Sequence, residues 1–210
     1  MPSHDFSSQS PESLHLSRRR VIGSLGAGAI AMIASSTPAS ALFGWGKKSG
    51  GRAVDLSGLP DEWVARQGSG LQAYADFLGG LRLERLTPLQ VIEAHAKKHG
   101  TVWNSLPPRK MWKQMAPTLK VVDRVALELG QPVREIVSAY RSPAYNARCA
   151  GARRGSWHQA NVAVDVRFPA RASVVSSAAR TLRSRGYFQG GVGRYASFTH
   201  IDTRGQNVDW

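Results

Sequence analysis

The order of apolar patterns along this chain predicts an α+β domain, a small antiparallel sheet flanked by helices. Residues 61–129 carry apolar side chains at helical spacing, residues 133–202 carry short alternating runs around one further helix, and Gly or Pro punctuates the joins. The 210 residues are 42% hydrophobic and 20% charged. That is enough apolar material for one modest core, which excludes wholesale disorder, and too little for a multi-span membrane protein.

The first forty residues read as an address. Ser17-Arg18-Arg19-Arg20-Val21-Ile22 leads into an apolar run from Val21 to Ala34, and Ala39-Ser40-Ala41 offers the small residues that a signal peptidase accepts. The run is too short to span a bilayer comfortably. Residues 1–41 resemble a twin-arginine signal peptide cleaved after Ala41, with a buried helix or an uncleaved anchor as the alternatives. The expectation is a mature chain in the periplasm or cell envelope, without a stable membrane span.

Residues 42–60 are rich in Gly, Ser and Lys and read as a flexible linker. Residues 61–87 form a helical extension, with Trp63, Leu71, Tyr74, Phe77 and Leu78 near helical spacing and a break at Gly79-Gly80. Pro88 opens a second helix over 89–98, closed by Gly100. A third runs over 117–129, where Val121, Val122, Val125, Ala126 and Leu129 supply the buried stripe and Gly130 stands at the C′ position. Strands follow at 133–139, 162–168 and 198–202, with a helical turn at 144–148, a helix at 171–185 and a Gly-rich turn before the last strand.

Charge narrows the partners. There are 28 Lys and Arg against 14 Asp and Glu, a net charge of +14. Outside the inner membrane the anionic polymers are the wall and lipopolysaccharide, so this charge favours the envelope and not nucleic acid. The single cysteine, Cys149, excludes an intrachain disulfide and reads as a packed thiol.

The chemistry lies in the last eighty residues. His158 precedes the run Val162-Ala163-Val164-Asp165-Val166-Arg167, in which Asp165 points off the Val face. An acid amid that much Val is costly unless it is paired or bound to a metal. His200 and Asp202 share one face of their strand. Two His and one Asp make a three-ligand set of the kind that leaves a zinc position open for water. A core histidine and two hydrogen-bonded acids at strand ends would show the same spacing. His95 and His99 stand four apart on the predicted second helix, close to Glu93, and read as a solvated or partly packed face. Trp157, Tyr195 and Trp210 belong either to a groove or to the core.

Three separated motifs carry a family resemblance. They are Ser138-Ala139-Tyr140-Arg141-Ser142, then Ser156-x-His158 through Ala163-x-Asp165, then Gly190-Gly191-Val192-Gly193-Arg194-Tyr195 leading to His200-Ile201-Asp202. Together they resemble the zinc D-alanyl-D-alanine carboxypeptidases and murein endopeptidases, of VanX-like and hedgehog-like fold, and most of all the exported YcbK-like branch. The resemblance implies a zinc peptidase domain over 88–210, with one Zn2+ held by His158, Asp165 and His200. It implies that Arg141 grips or polarises the substrate, with Ser138, Tyr140 and Ser156 as further substrate-binding residues. Asn161 stands where the family has Gly, and Asn tolerates positive φ. Ser197 stands where the carboxypeptidase branch has Glu, so Asp202 becomes the candidate proton shuttle or, alternatively, the group that orients His200. The implied partner is the peptidoglycan stem peptide. The implied reaction is cleavage of an amide in or between such peptides, by an endopeptidase in preference to a carboxypeptidase. A wall-binding protein that has lost turnover is the alternative.

Overall fold

The computed structural model describes residues 54–210. The segment read as an export signal, residues 1–41, and the part of the expected linker up to residue 53 lie outside the described residues. No helix among the described residues is long and apolar enough to cross a membrane.

Two short helices, α1 (Asp61–Gln67) and α2 (Gly70–Gly79), replace the single helical extension, because Gly68 breaks the chain at φ 54°. They bury Trp63, Leu71, Tyr74 and Leu78 in the same apolar core as the rest of the described chain. Helix α3 (Pro88–Glu93) begins with a capping box, the Thr87 side chain and Gln90 each bonding the other's backbone N–H. It ends five residues before the predicted boundary. Lys98 and His99 instead form β1 (Lys98–His99), which pairs with β2 (Val102–Trp103). His95 and His99 therefore share no helical face: His95 is fully buried and His99 is exposed.

Helix α4 (Trp112–Leu129) starts one turn and more before Pro117 and stops at Gly130, which takes the left-handed conformation at φ 62°. Strand β3 (Glu135–Ser138), the one-turn α5 (Pro143–Asn146), β4 (Ala163–Arg167) and α6 (Ala172–Ser184) follow close to expectation. The Gly-rich segment read as a turn is strand β5 (Gly191–Arg194). It precedes β6 (Thr199–Asp202) and the two-residue β7 (Val208–Asp209).

The main sheet has the order β3-β4-β6-β5-β7. All its pairs are antiparallel except β5–β7. Val164, Val166, Ile201 and Val192 point to the face on which α4 and α6 pack and join the core there. The alternate residues Asp165, His200 and Asp202 lie on the opposite face, with Asp165 directly across from His200 and Ala163 from Asp202. Strand alternation thus divides the sheet into a packing side and a chemical side.

At the open edge, β3 carries a bulge between Ile136 and Ser138. The Lys97 ammonium donates to the carbonyls of Val137 at 2.7 Å and Ile136 at 3.5 Å, and pairs with Glu135.

Candidate metal centre

His158 sits in a tight turn before β4. The backbone N–H groups of Gln159 and Asn161 donate to Ser156 and His158 carbonyls, and Asn161 makes the reversal at φ 57°. Its side-chain NH2 donates to Met111 O at 2.9 Å and pins the turn to the start of α4. The His158 Nδ1–H donates to Ala139 O at 2.7 Å, which leaves Nε2 with its lone pair facing Asp165 Oδ2 at 3.3 Å. His200 Nδ1 lies 2.8 Å from Asp165 Oδ1. One donor atom from each of His158, Asp165 and His200 falls within 4.8 Å of the other two, and all three residues are buried. Tetrahedral zinc with bonds of about 2.0–2.2 Å spaces its ligand atoms by roughly 3.3–3.5 Å. The donor set and its spacing suit one such ion.

Burial and neighbouring charges move all three groups from their ordinary values. Burial pushes His158 down toward the neutral, ligating form, outweighing the pull of Asp165. Burial works against the Asp165 charge, yet His158 and His200 hold the carboxyl well below the usual range. Burial likewise disfavours a charged His200, but the carboxylates of Asp165 and Asp202 outweigh it and push that imidazole up. Two carboxylates thus draw positive charge to the middle of the cluster.

Asp202 does not face the cleft. Its side chain has no exposed surface. Its carboxylate accepts from the Gly191 N–H at 3.0 Å, the Arg204 N–H at 3.1 Å and Arg204 Nε–H at 2.8 Å, pairs also with Arg204 Nη2, and meets His200 Nε2 at 2.9 Å. Burial opposes its charge, but Arg204 and His200 hold it well below the carboxylate range. Of the two roles expected for Asp202, this is the geometry of the orienting group. Such a saturated carboxylate is poorly placed to shuttle a proton.

Three other expectations change. Arg141 lies over the metal centre, but its guanidinium donates to Asp165 Oδ2 and Ser138 Oγ, each at 2.7 Å. Ser138 is therefore a buried support for Arg141 and not a substrate contact. Tyr140 is buried, with its ring 6.5 Å from that of His95, and lines no part of the cleft. Ser156 does line it, with its hydroxyl accepting from the His158 N–H at 3.3 Å.

The centre opens onto a groove of about 740 Å3, lined by Trp157, Tyr195, Phe198 and Trp210 and by residues 150–156. The groove reading of Trp157, Tyr195 and Trp210 is the one realised. Gly191 and Gly193 pack against Trp210, one of the residues that line the groove. A Cβ on Gly193 would lie 2.5 Å from the Trp210 indole, and one on Gly191 would lie 2.5 Å from Asp202 Oδ2. Cys149 is half-buried, donates to Tyr145 O at 3.4 Å and has its thiol pushed up chiefly by burial, as a packed thiol should.

The family model described as Peptidase M15 matches residues 85–202. The chain belongs to the Peptidase M15 family. No curated protein and no solved structure matches it. M15 peptidases are zinc-dependent, and the matched span contains Arg141, His158, Asp165, His200 and Asp202.

Two residues of this M15 centre went unnoticed in the sequence. Buried Asn104 donates to Tyr140 O at 2.8 Å and accepts from the Ser142 N–H at 2.9 Å, clamping the backbone on both sides of Arg141. It directly follows β2, and nothing in its sequence context distinguishes it beforehand. Arg204 lies between Trp157 and Trp210, 5.0 and 5.2 Å from their rings, and holds Asp202. Its position two residues after Asp202, on the turn past the strand, was the available signal.

Proposed function

We propose that the chain is an exported zinc peptidase that cleaves an amide in or between peptidoglycan stem peptides, as an endopeptidase of the YcbK-like branch in preference to a carboxypeptidase. The observation that carries this reading is the buried convergence of His158, Asp165 and His200 at the bottom of an open groove, in a member of the Peptidase M15 family. The twin-arginine motif and the net charge of +14 support a site of action in the periplasm or envelope.

His158 Nε2, Asp165 and His200 Nδ1 hold the ion in this reading. Zinc bound there supplies Lewis acidity to the scissile carbonyl and lowers the pKa of water. Ala139 O fixes the His158 tautomer, and Asp202 accepts the Nε2–H of His200, so both rings present a lone pair to one point. Arg141 keeps a permanent positive charge beside that point and stabilises negative charge developing on the substrate oxygen.

The test is hydrolysis of purified cell wall by the mature chain, with and without chelator. Release of peptide fragments that stops on chelation, returns with zinc and is absent in His158→Ala is the expected result. Turnover indifferent to chelation removes the reading.

A specific observation keeps a second reading alive. Asp202 is saturated, and Ser197, in the position of the family's Glu, accepts from Arg167. A wall-binding protein without turnover fits those facts. Muropeptide binding by the zinc-loaded chain with no cleavage is its signature.

A further inference from the structure

The cationic groups of the groove are not equivalent. Four guanidinium groups line it, those of Arg141, Arg153, Arg154 and Arg204, and Asp165 is the one lining carboxylate among the described residues. Arg141 is committed to Asp165 and Ser138. Arg204 is committed to Asp202 and to the two indoles. Arg153 and Arg154 are exposed, and neither forms an ion pair with a described residue.

Their segment is built, not merely charged. The Asn146 side chain donates to Arg153 O at 3.1 Å, the Ala152 N–H donates to Cys149 O at 3.2 Å, and the Gly155 N–H donates to Gln159 Oε1 at 3.1 Å. Gly151 and Gly155 take φ 68° and 72°, which lets the chain turn twice within five residues. The two side chains are thereby carried on the wall of the groove that leads to His158.

From this arrangement we infer that Arg153 and Arg154 form a carboxylate-reading subsite. The preferred substrate is an acidic peptide bearing free carboxylates on the residues that flank the cleaved amide. A guanidinium fork matches a carboxylate in a bidentate geometry, and an unpaired pair of such forks repels a cationic ligand and gives a neutral one no charge attraction. The inference rests on the peptidase reading above and adds the residues that select the substrate.

The test uses two synthetic peptides of one sequence, one with two free side-chain or α-carboxylates beside the scissile amide and one with both amidated. Binding to the zinc-loaded mature chain is measured by calorimetry and cleavage by chromatography. The acidic peptide binds about tenfold or more tightly, and the preference shrinks as salt is raised. Arg153→Gln with Arg154→Gln weakens its binding by a similar factor, read in KM more than in kcat, and brings the preference toward one. Arg153→Lys with Arg154→Lys restores part of it, and unchanged zinc content and melting temperature show that the variants fold. Equal binding of the two peptides, or a preference that survives the double Gln variant, overturns the subsite. Equal cleavage of both peptides does so while leaving the peptidase reading intact. Selective binding without cleavage supports the subsite and removes the peptidase reading.

Discussion

A histidine that ligates a cation through Nδ1 needs an acceptor for its Nε2–H if the ring is to hold still. For His200 that acceptor is Asp202, itself fixed by Arg204 and by the Gly191 N–H. Asp202→Asn is expected to weaken zinc binding about 10- to 100-fold in a chelator competition, and to lower the unfolding free energy by about 3 kcal/mol because Arg204 loses its charge partner. A shuttle role would instead lower kcat and leave zinc affinity alone. The ligand triad was legible because each member sits where sequence logic is strongest, on an alternating strand or at a turn. Asn161 was legible for the same reason, since its φ of 57° is one that Asn tolerates. The attachment of Arg141 to Asp165 was not. It depends on the bulge at Ile136/Ser138, which sets Ser138 opposite Asp165, and no residue type in that strand announces a bulge.

Elements were misread where one residue type has two uses. Pro117 suggested a helix start, yet Trp112 and Met115 are buried on the same stripe and carry α4 back by more than a turn, so that Pro117 lies inside the helix. Gly191 and Gly193 suggested a turn. In β5 they are extended residues whose missing side chains leave room for Trp210 and for the Asp202–Arg204 pair. Gly193→Ala is therefore expected to displace the Trp210 indole from beside His200, 5.1 Å away, and to cost about 1–3 kcal/mol. Intrinsic fluorescence and thermal melting measure both effects. An unchanged Trp210 environment would show that the contact between β5 and Trp210 is softer than its packing implies. The helix proposed for 89–98 failed because apolar spacing continues past Glu93 while the backbone has already turned toward β1.

For the molecule as a whole, α1 and α2 extend the core beyond the matched family span, and His95 lies within it. His95 has no exposed surface, its Nδ1 has no partner, and Nε2 meets the Tyr74 hydroxyl at 3.3 Å. Burial pushes its pKa down to about 4. The unfolded chain takes up this proton near pH 6.5 and the folded chain does not until about pH 4, so stability is full above 6.5 and falls as the pH drops through that window. The total is on the order of 3 kcal/mol. Denaturant melts of the wild type and His95→Gln between pH 7 and pH 4 check it: the difference in stability between the two should shrink as the pH falls. A constant difference would mean that His95 does not titrate in this window. Finally, the Lys97 ammonium on the carbonyls of Ile136 and Val137 does more than brace a bulge. It stoppers the outer margin of β3, where a bare backbone would invite an extended segment of another chain to add itself. By occupying two of those carbonyls, that single side chain works against the addition of a further strand.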